Sequence, residues 1–189
     1  MSVTENKVRI GLARAFWALK TQDGKYEAPH EFEWPEEATI SNGGSNDQTI
    51  YAGDAPRYKR GGVGSKEIQV QMTKFSRDFL KACCGQMAES ETTGGISEVS
   101  NGGAKEFAFG VETTGDQGSI RTWYYGCTAT TPVHSAKTNT DSINEDAETS
   151  TFTAVSTKCG DGKSRVSTTF EPGDAGYDAA FTKVPFQAD

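Results

Sequence analysis

Cysteine, histidine, positive charge and long apolar runs are all scarce in this chain of 189 residues, and each shortage excludes something. The four cysteines are Cys83, Cys84, Cys127 and Cys159; two are adjacent and none forms a C-x-x-C pair. With only two histidines beside them, this spacing fits neither a disulfide framework nor a zinc site. Buried, inert thiols in a reducing compartment are the expectation. No apolar run approaches the length of a membrane-spanning helix, and the opening MSVTENKVRI has no apolar signal core. Synthesis in the cytoplasm, with no membrane partner, is therefore expected. The net charge is −7 and the isoelectric point is near 4.9, so the chain has no general basic face with which to hold nucleic acid.

Catalytic patterns are equally scarce. His30 lies beside Pro29, and His134 follows Pro132 and Val133; neither has a nucleophile or acid at a recognisable spacing, and G-x-S-x-G is absent. Asp141, Glu145, Asp146 and Glu148 lack the D-x-[DN]-x-[DN]-G spacing of a calcium loop and read as a solvated acidic loop. The stretch RYKRGGVGSKEIQVQM has the glycines and lysine of a phosphate cradle in the wrong order. Ser65 separates Gly64 from Lys66, and a strand-like alternation follows where a helix is needed. These residues point to no enzyme, no cofactor and no metal.

What the chain has is turns and polarity. Hydrophobic residues make up 34%, mean hydropathy is −0.60, and there are 21 glycines among long Ser/Thr-rich stretches. One all-β domain spanning 1–189, with many turns and long loops, fits this composition. KVRIGLARAFWALK reads as one long bent strand or two short ones, closed by a turn at Asp23-Gly24. Residues 31–37 are acidic around Trp34-Pro35. Residues 38–66 look least core-like, with a short strand at Thr49–Ala52.

Ile68, Val70 and Met72 then alternate with Glu67, Gln69 and Gln71, giving one apolar and one wet strand face. The period next becomes helical: Phe75, Phe79, Ala82 and Cys83 form one stripe, predicting a flanking helix over about 73–85, capped by Thr73 and stopped at Gly85. FAFGVE and SIRTWYYGCTAT read as a strand pair across TTGDQG, the second apolar on both faces as a central strand would be. TSTFTAVST and SRVSTTF are further strands. Tyr177, Ala180, Phe181 and Val184 predict a short C-terminal helix between Asp174 and Pro185.

The order of these pieces resembles the major tail protein, or tail tube protein, family of bacteriophages with long non-contractile tails. Four stretches carry the resemblance: NKVRIGLARAFWALKTQDGKY with Pro29 following; YAGDAPRYKRGGVGSKEIQVQMTKFSRDFLKACCG; FAFGVETTGDQGSIRTWYYGCTATTPVHSAKTNTDSINEDAETSTFTA; and YDAAF near the end. The resemblance implies a β-sandwich or barrel with a flanking helix, assembled as hexameric rings that stack into a tube within the virion tail. Implied partners are other copies of the chain, the tape measure protein, the tail terminator and tail-tip proteins, with DNA passing through the lumen without specific binding.

Three groups of residues take roles in that picture. An assembly loop at about 41–66, with Arg57, Tyr58, Lys59, Arg60, Gly61, Gly62 and Gly64, reaches an adjacent ring. The acidic stretch with Asp141, Glu145, Asp146 and Glu148 receives its cations, and Glu67, Gln69 and Gln71 face the lumen. Two other readings compete. One is a β-sandwich binding module or tail-tip adhesin for carbohydrate or a host surface, suggested by Trp123, Tyr124 and Tyr125. The other is a tube protein of a contractile tail or secretion system.

Overall fold

Strand-type alternation recurs along the chain, and an antiparallel sheet of eight strands gathers most of the strand residues described. The computed structural model describes residues 6–43, 48–52, 55–60, 64–88, 94–99, 102–136 and 146–187, with backbone alone for 48–52, 55–60 and 87–88. The first strands are β1 (Arg9–Leu19), β2 (His30–Glu31), β3 (Pro35–Asn42), β4 (Gln48–Ala52), β5 (Ala55–Arg60) and β6 (Lys66–Met72). Helix α1 (Arg77–Ala82) separates them from β7 (Met87–Ala88), β8 (Ile96–Ser97), β9 (Phe107–Gly115) and β10 (Ser119–Ala129). Then come β11 (Glu148–Ala154), β12 (Thr157–Lys158), β13 (Ser164–Arg165) and β14 (Ser167–Phe170). The main sheet runs β2-β1-β9-β10-β11-β6-β3, with β14 also on β10; β4–β5, β7–β8 and β12–β13 are separate two-stranded ribbons. The protein is thus mainly β, as its composition predicts.

Period-two patterning sets which faces are buried. Ile68, Val70 and Met72 of β6 meet Phe107, Phe109 and Phe152 in the main core. The ring of Phe79 on α1 fills its centre, edge-on to Trp17 at 5.6 Å, Phe32 at 5.0 Å and Phe107 at 5.5 Å between centroids. The central strands are buried on their second face too. Phe16, Ala18, Trp123 and Tyr125 form another cluster there, closed by Val184 from the C-terminal segment. Cys83, Cys84 and Cys127 are buried free thiols, and Cys159 is half-buried.

β10 changes partners halfway along. Arg121–Tyr124 pair with β14, whereas Cys127–Ala129 pair with β11, with a register shift between Tyr124 and Cys127. Gly126 sits in this bulge at φ +56, where a Cβ would come within 2.3 Å of the Thr157 hydroxyl oxygen and 2.9 Å of the Val155 carbonyl.

Three sequence expectations need correction. The helix covers Arg77–Ala82, not 73–85, because its cap is Ser76, whose hydroxyl accepts from the Phe79 amide at 3.3 Å. Thr73 is engaged elsewhere, donating to Glu36. The C-terminal segment is a chain of turns, closed by bonds such as Tyr177 N to Asp174 O and Ala180 N to Tyr177 O, rather than a helix. Sheet side chains take the carbonyls a helix would use: Arg121 Nη1 donates to Tyr177 O and Trp123 Nε1 donates to Ala180 O. Asp174 points backwards, accepting from the Glu171 amide. Finally, the 41–66 segment holds the end of β3, the β4–β5 ribbon and the start of β6, so its described part is largely paired strand.

Candidate assembly surface

The outer face of β3–β6–β11 is a wall of short polar side chains. Antiparallel register places Ser41, Glu67 and Thr153 on one rung, Thr39, Gln69 and Thr151 on the next, and Glu37, Gln71 and Thr149 on the third. Ile68, Val70 and Met72 of β6 and Phe152 and Ala154 of β11, which alternate with these residues, are fully buried, and this fixes the polar set on the opposite face. Glu67 and Gln69 are exposed and Gln71 is half-buried, its amide donating to Glu36 at 2.9 Å. No lysine or arginine occupies these rungs. The predicted lumen candidates Glu67, Gln69 and Gln71 therefore share one solvent-facing surface, and β3 and β11 widen it with Glu37, Thr39, Ser41, Thr149, Thr151 and Thr153.

The β4–β5 ribbon leaves this wall at one end. It connects Asn42 of β3 with Lys66 of β6, residues paired with each other, and Gly43 N donates to Ser65 O at the exit. Within the ribbon Thr49 pairs with Lys59 and Ile50 with Tyr58, and β4 and β5 pair with no other strand among the described residues. Arg57, Tyr58, Lys59 and Arg60 all lie on β5. Gly64 lies just before β6, and Gly61 and Gly62 fall outside the described residues.

Asp141 and Glu145 also fall outside the described residues. Glu148 begins β11, and its carboxylate accepts from the Phe75 amide at 2.7 Å, anchoring the approach to α1. Asp146 accepts from the Ser135 hydroxyl at 3.2 Å. Both carboxylates work inside the subunit.

At the far end of β3 lies a different acidic stretch. Glu33, Trp34, Glu36 and Glu37 are exposed there; Trp34 is 75% accessible and adopts φ 55. Glu31 forms a two-point ion pair with Arg14, both contacts at 2.6 Å, and this holds its carboxyl below the ordinary range. Deeper in, Glu112 is buried and lies 3.0 Å from Arg121 and 3.9 Å from Arg14. Trp123, Tyr124 and Tyr125, the aromatic strand residues that suggested a sugar-binding face, are buried in the two cores.

No protein-family model matches the chain, and no curated protein matches it.

Proposed function

We propose that this chain is a structural subunit of a bacteriophage tail tube, of the long non-contractile type, and carries no catalytic activity. Subunits assemble as hexameric rings, and the rings stack around a lumen that holds the tape measure protein and then passes genome DNA during ejection. The tail terminator and tail-tip proteins cap the two ends, and the assembled protein resides in the virion tail after assembly in the host cytoplasm. The order of sequence motifs supports this reading, and the mainly-β fold is compatible with it.

The observation that carries the proposal is the wall on β3, β6 and β11. Its rungs offer hydroxyls, amides and carboxylates and no cation, so a polyanion moving past finds a hydrated surface and no counter-charge to hold it. The binding-module reading loses its main support, since Trp123, Tyr124 and Tyr125 are committed to packing.

Electron microscopy of the purified protein across a concentration series tests the proposal. Rings or hollow tubes are the expected result. Particles that stay monomeric at the highest concentration would overturn it.

A further inference from the structure

Of the three tryptophans, Trp17 and Trp123 are buried in the two cores, whereas Trp34 is 75% exposed. Its side chain makes no hydrogen bond or ring contact among the described residues. The exposure is built in, because its neighbours are fixed. Phe32 is buried, with its ring 5.0 Å from Phe79 and 6.0 Å from Phe75. Pro35 starts β3 opposite Met72, and the Trp34 carbonyl accepts from the Thr73 amide at 3.5 Å. Between those anchors Trp34 holds φ 55, a left-handed backbone that a bulky residue rarely adopts. Strained, outward-facing residues of this kind gather where ligands bind.

The indole borders an open cleft of about 830 Å³. β1 contributes Ala13 and Arg14 to its lining, and residues 31–35 contribute the rest. Leu12 pairs with Thr113 and Arg14 with Glu112, so Ala13 has no partner of its own and β1 bulges at the cleft. Arg14 and Glu31 hold each other through two bonds of 2.6 Å, yet each side chain stays 46% exposed. Glu33 is exposed and has no partner among the described residues.

We propose that this cleft binds a neutral saccharide, with one pyranose ring stacked on Trp34. The C–H hydrogens of a pyranose carry slight positive charge and suit the electron-rich face of an indole. Its hydroxyls both donate and accept. They can donate to the spare lone pairs of Glu31 and Glu33 and accept the N–H groups that Arg14 does not give to Glu31. A charged ligand is served less well. Glu31 and Glu33 repel a phosphate or carboxylate, and Arg14 repels an ammonium group. An aromatic platform with a few convergent polar groups, in a cleft of this size, is the make-up of a small-molecule site. The inference goes beyond the tube reading and does not depend on it.

Fluorescence tests it, because Trp34 is the solvent-exposed indole. Acrylamide should quench part of the parent's emission, and that part should vanish in Trp34→Gly, a change that suits φ 55. The probes are maltohexaose, cellohexaose and chitohexaose, neutral oligosaccharides of different linkage. At least one should shield the parent's emission from acrylamide, saturating at or below about 10 mM, the range of a weak site. Calorimetry should show Trp34→Gly binding that sugar at least about tenfold more weakly, as loss of a stacking platform requires. Glu33→Ala should also weaken binding and leave the circular dichroism and thermal midpoint of the parent, since Glu33 is exposed and unpartnered. Co-sedimentation with the matching insoluble polysaccharide separates two sources of the ligand. Protein that pellets with the polymer takes a surface glycan, and protein that binds the oligosaccharide alone takes a free sugar; both results uphold the site.

Emission left unshielded by all three sugars at about 10 mM would overturn the inference, as would undiminished affinity in Trp34→Gly. So would weaker self-association of Trp34→Gly in the absence of sugar, because a second copy would then be what covers the indole. Electron micrographs of the parent decide the tube reading separately, so either proposal can fail alone.

Discussion

The indole nitrogen of Trp123 donates to the carbonyl of Ala180 at 2.6 Å, tying the middle of the sheet to the last described segment of the chain. Two residues earlier on β10, Arg121 does the same for Tyr177: its Nη1 donates to the carbonyl at 2.7 Å, and its guanidinium lies 4.1 Å from the ring centroid. The segment after β14 has neither ladder nor helix, so these side-chain bonds and the burial of Ala180 and Val184 hold it in place.

Trp123→Phe should therefore act on the C-terminal segment first. The Ala180 carbonyl would lose the indole donor inside an apolar cluster, a change that costs about 1–3 kcal/mol. Thermal unfolding should show a lower midpoint, and limited proteolysis should cut near residues 174–187 faster in the variant. An unchanged cleavage rate would show that the bond does not anchor the segment.

Phe79→Ala should destabilise the whole subunit. Phe79 is fully buried, and its ring packs against Trp17, Phe32, Phe75, Phe107 and Phe152. Removing a buried phenylalanine costs about 3–5 kcal/mol, because the neighbouring rings close only part of the cavity. Urea unfolding should show a midpoint lowered accordingly. A midpoint equal to the parent's would mean that α1 contributes nothing to the core.

The helix stripe around Phe79 and the two-faced apolarity of β10 were legible because burial imposes a strong period on sequence. β3 was missed for the opposite reason. Glu37, Thr39 and Ser41 alternate with Ala38 and Ile40, but the inward residues are only half-buried, so the acidic, loop-like composition dominated. The spacing of Tyr177, Ala180 and Phe181 suits a helix and a chain of turns alike. What decides between them is the competition of Arg121 and Trp123 for backbone carbonyls, which local sequence does not contain.

Gly126→Ala should be costly although it adds one methyl group. The residue holds φ +56 at the bulge where β10 exchanges β14 for β11, and the added carbon would collide with Thr157 and the Val155 carbonyl. Backbone strain and overpacking together predict a loss of about 2–4 kcal/mol. Denaturant titration measures it, and a loss below about 1 kcal/mol would show that the bulge relaxes freely.

Alkali should destabilise the protein through its buried thiols and phenols. Burial raises the pKa of the Cys83, Cys127 and Tyr26 side chains, and takes Cys84 and Tyr125 to about 12, above ordinary values of 9.0 for the thiol and 10.0 for the phenol. In each case the fold favours the neutral form. The stability these groups contribute is whole below the ordinary values and is lost as pH rises from there through the folded ones. Urea midpoints should be flat up to about pH 8.5 and then fall, each group adding about 1 kcal/mol per pH unit to the slope. Tyr125→Phe should flatten the fall. A midpoint independent of pH up to about 11 would contradict the burial of these groups.

The polar wall leads to the prediction closest to function. Assembled parent protein should retain no duplex DNA at low or moderate salt, since the rungs of β3, β6 and β11 hold Glu37 and Glu67 and no cation. Gln69→Arg places one guanidinium on the middle rung, exposed and opposite Thr39 and Thr151, and assembly would repeat it in every subunit. A polyanion threading that ring would release counterions as it met the arginines. Binding should then appear with a log–log salt slope of about −0.9 per phosphate contacted. The subunit's own stability should be nearly unchanged, because Gln69 faces solvent. Measuring DNA retention by assembled parent and Gln69→Arg protein across a salt series separates the outcomes. Tight, salt-sensitive binding by the parent would defeat the idea of a non-adhesive wall, and an arginine variant that still ignores DNA would place this face outside the lumen.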